Sequence, residues 1–255
     1  MNRIASAFHN KKAFIAFLTC GDPDLETTEQ LVIAMEEAGA DLIELGIPFS
    51  DPTAEGPVIQ EANGRALAAG TTTDRIFDMV RRLRKTVRIP LVFMTYANVV
   101  LSYGTGRFIK TAAEAGMDGL ILPDVPYEER EEFAPACEQN GLALIPLIAP
   151  TSHERISMIV REAQGFVYCV SSLGVTGVRS EISHDVVAMV QLVKQATTVP
   201  AAVGFGVSTP AQAAELSRCA DGVIVGSAIM RLVAEHGKAA VQPVANYVRL
   251  MKAAL

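Results

Sequence analysis

The sequence predicts a (β/α)8 TIM barrel, and three observations carry that reading. Eight short apolar runs alternate with amphipathic segments, as a parallel sheet covered by helices requires. The junctions resemble one another: Ala38-Gly-Ala-Asp-Leu-Ile, Ala115-Gly-Met-Asp-Gly-Leu-Ile and Cys219-Ala-Asp-Gly-Val-Ile each read as a helix end, a turn and a strand entry. The chain of 255 residues, half of them apolar, shows no linker or shift of composition, so residues 1–255 are expected to form one domain. An open doubly wound sheet is the alternative, but it has no need of eight regular units.

In chain order, residues 1–12 read as a short amphipathic helix with Ile4, Ala7 and Phe8 on one side. The first strand is the unbroken apolar run Ala13–Thr19. A helix over 27–38, with Leu31, Ala34, Met35 and Ala38 at helical spacing, closes on Gly39 and leads straight into a strand at 41–46. The connection from Gly46 to Thr73 is long and carries an extra helical stretch at 58–69. Loops of that length are usually functional. Further strands are expected at 90–95, 119–122, 142–147, 166–170, 200–203 and 222–225. Between them come helices at 73–85, 107–115, 128–140, 153–163, 184–195 and 210–217, and Gly226-Ser227 opens one more.

A net charge of −6 and the lack of any basic cluster argue against nucleic acid or an anionic membrane as partner. The four cysteines (Cys20, Cys137, Cys169, Cys219) are scattered, as free thiols of a reducing compartment would be. The histidines show no ligand spacing, so no metal site is expected. No signal segment or membrane-length apolar run is present, which makes a cytoplasmic protein the expectation.

Chemistry in such a barrel sits where the strands end. Glu44 is the one acid in the interior of a strand run, set among Leu42, Ile43 and Leu45. A carboxylate there is costly unless paired, hydrogen-bonded or protonated. Two further acids, Asp51 and Glu55, follow in a loop punctuated by Pro48, Pro52, Gly56 and Pro57. No strand carries a lysine, which disfavours an imine-forming aldolase and leaves acid–base catalysis by carboxylates. Gly-rich turns after the sixth (Ser171–Arg179), seventh (Gly204-Phe-Gly206) and eighth (Gly226-Ser227) strands suit a phosphate, since glycine lets backbone N–H groups close on an anion. Phe17, Tyr96 and Tyr168 near strand ends add an apolar wall. Together these features suit a flat aromatic substrate with a phosphorylated tail. The competing reading is structural: a capped buried acid, tight turns and core aromatics.

At this point the residues resemble a known family. Glu44-Leu-Gly-Ile-Pro-Phe-Ser-Asp-Pro, continued by Glu55-Gly-Pro-Val-Ile-Gln60, looks like the signature of the tryptophan synthase α chain. Shorter motifs support it in the family's order: Thr19-Cys-Gly-Asp-Pro23, Tyr96-Ala-Asn98, Pro123-Asp-Val-Pro126, Gly174-Val-Thr-Gly177, Gly204-Phe-Gly206 and Gly226-Ser-Ala-Ile229. The resemblance implies a lyase that cleaves indole-3-glycerol phosphate to indole and glyceraldehyde 3-phosphate. It implies no cofactor in this chain, and a partner β chain in an α2β2 heterotetramer that carries pyridoxal phosphate and joins the indole to serine.

By the same resemblance Glu44 is the general acid/base, and Glu55 stands where the family most often has an aspartate facing the indole N–H. Thr176 would orient that second acid. Phe17, Met94 and Tyr168 would hold the indole; Gly177, Gly206, Gly226 and Ser227 the phosphate; Pro48 and Asp51 would touch the β chain. A stand-alone lyase releasing free indole, or an inactive barrel that activates a β chain, are the other readings.

Overall fold

The computed structural model describes residues 3–170, 184–204 and 206–255. Among the described residues, nine strands form one all-parallel sheet: β1 (Ala13–Thr19), β2 (Leu42–Gly46), β3 (Leu91–Met94), β4 (Gly119–Ile121), β5 (Ala143–Leu144), β6 (Leu147–Ile148), β7 (Val167–Val170), β8 (Ala201–Gly204) and β9 (Gly222–Val225). Their order is β5-β4-β3-β2-β1-β9-β8-β7-β6. The two ends of that order are neighbours in sequence, so the sheet closes on itself as a barrel. Every residue of β1 and β2 is buried, as strands with the barrel interior on one side and helices on the other must be.

The fifth predicted strand, 142–147, is divided in two, which is why nine strands stand where eight are expected. Proline lacks the N–H that a ladder needs, and Pro146 falls at the break. The chain before it bonds one neighbour, Ile145 N donating to Leu120 O at 2.9 Å, and at Pro146 it turns to the other, Tyr168 N donating to Pro146 O at 2.9 Å. β5 pairs with β4 and β6 with β7, so this kinked strand is the seam of the barrel.

The helices begin and end where their caps dictate. Asp24 accepts from Thr27 N at 2.7 Å and starts Leu25–Glu37. Thr209 and Gln212 form a capping box for Pro210–Leu216, which supplies two of the otherwise unpaired amides of a first turn. Gly116, at φ 102°, ends Thr105–Ala115 in the left-handed region that glycine tolerates. The N-terminal helix is shorter than expected, Arg3–Ala7, and the insertion after β2 is the helix Pro57–Ala68. The expected helix at 128–140 is broken into a 3-10 segment, Tyr127–Glu132, and a helix, Ala134–Gln139. Pro135 is the cause, because proline is tolerated only in a first turn. That at 153–163 is likewise a 3-10 segment, Pro150–Arg155, and a short helix, Ile156–Val160. The helix expected to open at Gly226-Ser227 is Ser227–His236, and two helices lie outside the expected spans: Ala97–Tyr103 and Val241–Lys252.

The repeated Ala-Asp or Met-Asp junctions have a common structural use at the N-terminal end of the barrel. Each aspartate precedes a strand and reaches the first or second residue of the strand before it. Phe14 N donates to Asp41 at 2.8 Å, Leu91 N to Asp118 at 2.9 Å, and Ala201 N to Asp221 at 3.0 Å. Each also donates its own amide back: Asp41 N to Phe14 O, Asp118 N to Leu91 O and Asp221 N to Ala201 O. Cations complete the staples: Lys11 and Lys252 on Asp41, Arg3 and Arg84 on Asp118, Lys194 on Asp221. Lys252 thereby ties the last helix to the first two strands. The opposite end of the barrel is left for chemistry.

Candidate active site

Phe17 and Glu44 are register partners on β1 and β2, and Met94 ends β3 beside Gly46. Alternation along each strand turns Phe17, Glu44 and Met94 inward together, and all three line one cleft with Tyr168 of β7. Glycines make room for the rings. A Cβ at Gly46 would stand 2.7 Å from Phe17 Cζ, one at Gly226 3.2 Å from Phe17 Cδ1, and one at Gly204 2.5 Å from the Tyr168 hydroxyl. A side chain at Gly46 or Gly204 would therefore push an aromatic wall into the cleft.

Glu44 is wholly buried, and neither carboxyl oxygen has a hydrogen-bond partner among the described residues. Burial without compensation disfavours the charged form, and the pKa of Glu44 is pushed up to about 8. At neutral pH the group is therefore held mainly as a carboxylic acid, a proton donor in an apolar setting. Burial and the nearby Glu44 also raise the Tyr168 phenol well above its ordinary value, so it stays neutral.

Glu55 enters the same cleft from the loop that precedes Pro57–Ala68, and is 8% exposed. Asn63 Nδ2 donates to its Oε2 at 2.7 Å. Desolvation raises its pKa to about 7, with the Asn63 bond pulling the other way. The two acids thus differ in environment: one has no partner, the other is held by an amide, which is how carboxyls divide roles in one site.

The rim opposite is formed by Gly206, at φ 87°, and by Gly226-Ser227 at the start of Ser227–His236. A helix N-terminus presents unpaired amides and the positive end of the dipole, both of which favour an anion. Thr176 and Gly177 lie outside the described residues. Pro48 and Asp51 are not part of the cleft: Pro48 is buried in the chain, whereas Asp51 is exposed and accepts from Ser50 Oγ at 2.5 Å.

Several cleft residues gave no sequence signal of their own. Ile59 and Ile224 are apolar members of regular elements, Val207 is an apolar residue of the segment after β8, and Arg231 is one turn beyond Ser227 on the same helix. For Arg231 the spacing of four from Ser227 is the signal that could have found it. Asp124, noted just past the fourth strand, is engaged elsewhere: Ala97 N donates to both its oxygens, at 3.0 and 3.1 Å, capping Ala97–Tyr103. A second cavity of about 490 Å³ on the same face meets the cleft at Ala54 and is lined by Leu122, Asp124, Pro126 and Leu147 among others.

No lysine lines the cleft among the described residues, and its two carboxyls, Glu44 and Glu55, are strongly desolvated. Fold and site together give a barrel whose cleft at the C-terminal ends of the strands holds two desolvated carboxyls, the usual place for an active site in barrel enzymes. The model of the family described as "Tryptophan synthase alpha chain" matches residues 4–255. The tryptophan synthase alpha chain of Lacticaseibacillus casei is 47% identical over 255 residues, covering all of this chain and 96% of the relative. The crystal structure of tryptophan synthase subunit alpha from Legionella pneumophila str. Paris superposes with a TM-score of 0.90 at 38% identity, covering 100% of this chain and 98% of that one. A structure of the tryptophan synthase α2β2 complex from the hyperthermophile Pyrococcus furiosus matches at TM-score 0.89 and 36% identity, over 94% and 98% of the two chains. This chain belongs to the tryptophan synthase alpha chain family.

Proposed function

We propose that Glu44 and Glu55 share the proton and charge work of this family's reaction, the cleavage of indole-3-glycerol phosphate to indole and glyceraldehyde 3-phosphate. The observation that carries this reading is the unpartnered carboxyl of Glu44, protonated near neutral pH and facing an aromatic-lined cleft. A proton delivered to indole C3 turns the ring into an iminium-like electron sink. Removal of the proton from the neighbouring glycerol hydroxyl then lets the C–C bond break, leaving an aldehyde and a neutral indole. One proton enters and one leaves, so a single group that gives and then takes returns to its starting state. Each positioned acid or base of this kind contributes roughly 10²–10⁴ in rate.

Glu55 we assign to the indole N–H, where an anionic oxygen stabilises the positive charge that protonation at C3 creates. Phe17, Met94 and Tyr168 form the slot for the ring. Gly206, Gly226 and Ser227, with Gly177, take the phosphate, and Thr176 orients Glu55. The partner is a β chain in an α2β2 assembly, with pyridoxal phosphate in that chain, and the exposed Asp51 loop is the side we assign to it. The setting is the cytoplasm.

The test is Glu44→Gln, which keeps shape and removes the titrating group. Indole release from indole-3-glycerol phosphate should fall by at least about 10²-fold while the circular dichroism spectrum is unchanged. Near-full activity in a folded variant would refute the assignment.

A further inference from the structure

We infer that Asn63 is a positioning residue for this reaction: its carboxamide, carried on the second turn of Pro57–Ala68, sets the direction in which Glu55 presents its carboxyl to the ring nitrogen. The inference rests on the reading of Glu55 as the acid facing that nitrogen. Glutamate has one more rotatable bond than aspartate, so its carboxyl sweeps a wider arc unless something holds it. A reacting group left free by about 1 Å can lose roughly 10²-fold in rate.

The helix face supplies the clamp at two points. Asn63 takes one carboxyl oxygen of Glu55 at 2.7 Å, and Gln60 Nε2, three residues earlier on the same face, donates to the Glu55 carbonyl at 2.7 Å. The contact is sheltered, with Asn63 4% and Glu55 8% exposed. The helix is in turn moored to the loop after β1, where Arg65 Nε and Nη2 grip the buried Asp22 at 2.9 and 2.7 Å. With one oxygen taken by Asn63, the other is left for a ligand in the cleft that Glu55 lines.

An amide suits a carboxyl whose pKa is pushed up to about 7. Asn63 can donate from Nδ2 to the carboxylate or, turned over, accept from the acid through Oδ1. It therefore holds Glu55 in place through either protonation state. The other charged or titratable groups around Glu55 among the described residues are Tyr96, from the segment after β3, whose phenol is raised in part by the Glu55 charge, and, in the same cleft, Glu44 from β2, Tyr168 from β7 and Arg231 from Ser227–His236. On the helix that carries Asn63, Glu61 acts on Arg65 instead.

The experiment is steady-state cleavage kinetics from about pH 5 to pH 9 for Asn63→Ala and Asn63→Asp, each alone and in a Glu55→Gln background. Loss of a hydrogen bond to a charged group should lower kcat by about 10- to 100-fold, with little change in KM. Removing the donor also raises the Glu55 pKa, so the acid limb of the pH profile should move up by about one unit in Asn63→Ala. It should move further in Asn63→Asp, where a second carboxyl replaces the donor. In the Glu55→Gln background Asn63→Ala should add no further loss. An unmoved acid limb, or the same loss with and without Glu55, overturns the role of Asn63. Should the alanine variant fail to fold, the nearly isosteric aspartate variant carries the same readings. Wild-type activity in Glu55→Gln alone would instead remove the assignment of Glu55, and this inference with it; an impaired Glu55→Gln beside unaffected Asn63 variants removes only the latter.

Discussion

Glu44 sits in the middle of β2 with its carboxyl buried and, among the described residues, unpartnered, and this has a consequence for stability as well as for catalysis. Its pKa lies near 4.5 in the unfolded chain and about 8 in the fold. Between those values the folded protein keeps a proton that the unfolded chain has lost, so stability declines as the pH rises through that window. Below about pH 4.5 both states are protonated and nothing is lost. Glu44→Gln mimics the neutral acid at every pH. Its melting temperature should therefore match wild type near pH 5 and exceed it increasingly toward pH 8.5 in thermal scans; equal melting temperatures across that range would count against a protonated Glu44. This residue was legible in sequence because an acid inside an apolar strand is an anomaly. Asn63 was not, since an amide on an amphipathic helix looks like any solvated side chain until Glu55 is found 2.7 Å away.

The staples at the strand entries show an element doing what a repeated motif only hints at. Asp118 and Arg84 are 11% and 10% exposed in their side chains, whereas Asp221 and Lys194 are 30% and 38% exposed. Asp118→Ala strands a sheltered guanidinium and an amide, Leu91 N, and should cost about 3–5 kcal/mol in urea unfolding. Asp221→Ala, whose cation can return to water, should cost about 1 kcal/mol or slightly more. Equal costs would mean that burial does not set their value. Most other elements followed from apolar spacing and caps. Two that did not were altered by proline, at Pro146 in the fifth strand and Pro135 in the helix after β4. The short helix Ala97–Tyr103 gave no periodic signal and is capped by Asp124 from the next strand's loop, a contact between segments 27 residues apart.

At the scale of the molecule, the barrel separates stability from chemistry. The aspartate staples and the last helix close one end, while the cleft, the glycine rim and the second cavity occupy the other. The exposed Asp51 lies on the loop between Glu44 and Glu55, so a partner seated there would act on the geometry of both acids. Titrating a tryptophan synthase β chain into the indole-release assay should accordingly raise kcat by about tenfold or more, the scale of typical coupling energies. A rate that is already high and stays unchanged would identify a stand-alone lyase.

What the sequence determined by itself is the alternation of elements, the parallel barrel, the anomalous acid in β2 and the glycines near the strand ends. These are local properties: apolar period, cap chemistry and backbone freedom depend on residues a few positions apart. Only the tertiary structure decided that Glu44 has no partner among the described residues, that Gly46, Gly204 and Gly226 exist partly to seat Phe17 and Tyr168, and that Asn63 holds Glu55. Each of these depends on what a distant segment places within a few ångströms, and on how much water is excluded there. The electrostatics of the two acids follow from that exclusion, which no spacing along the chain encodes.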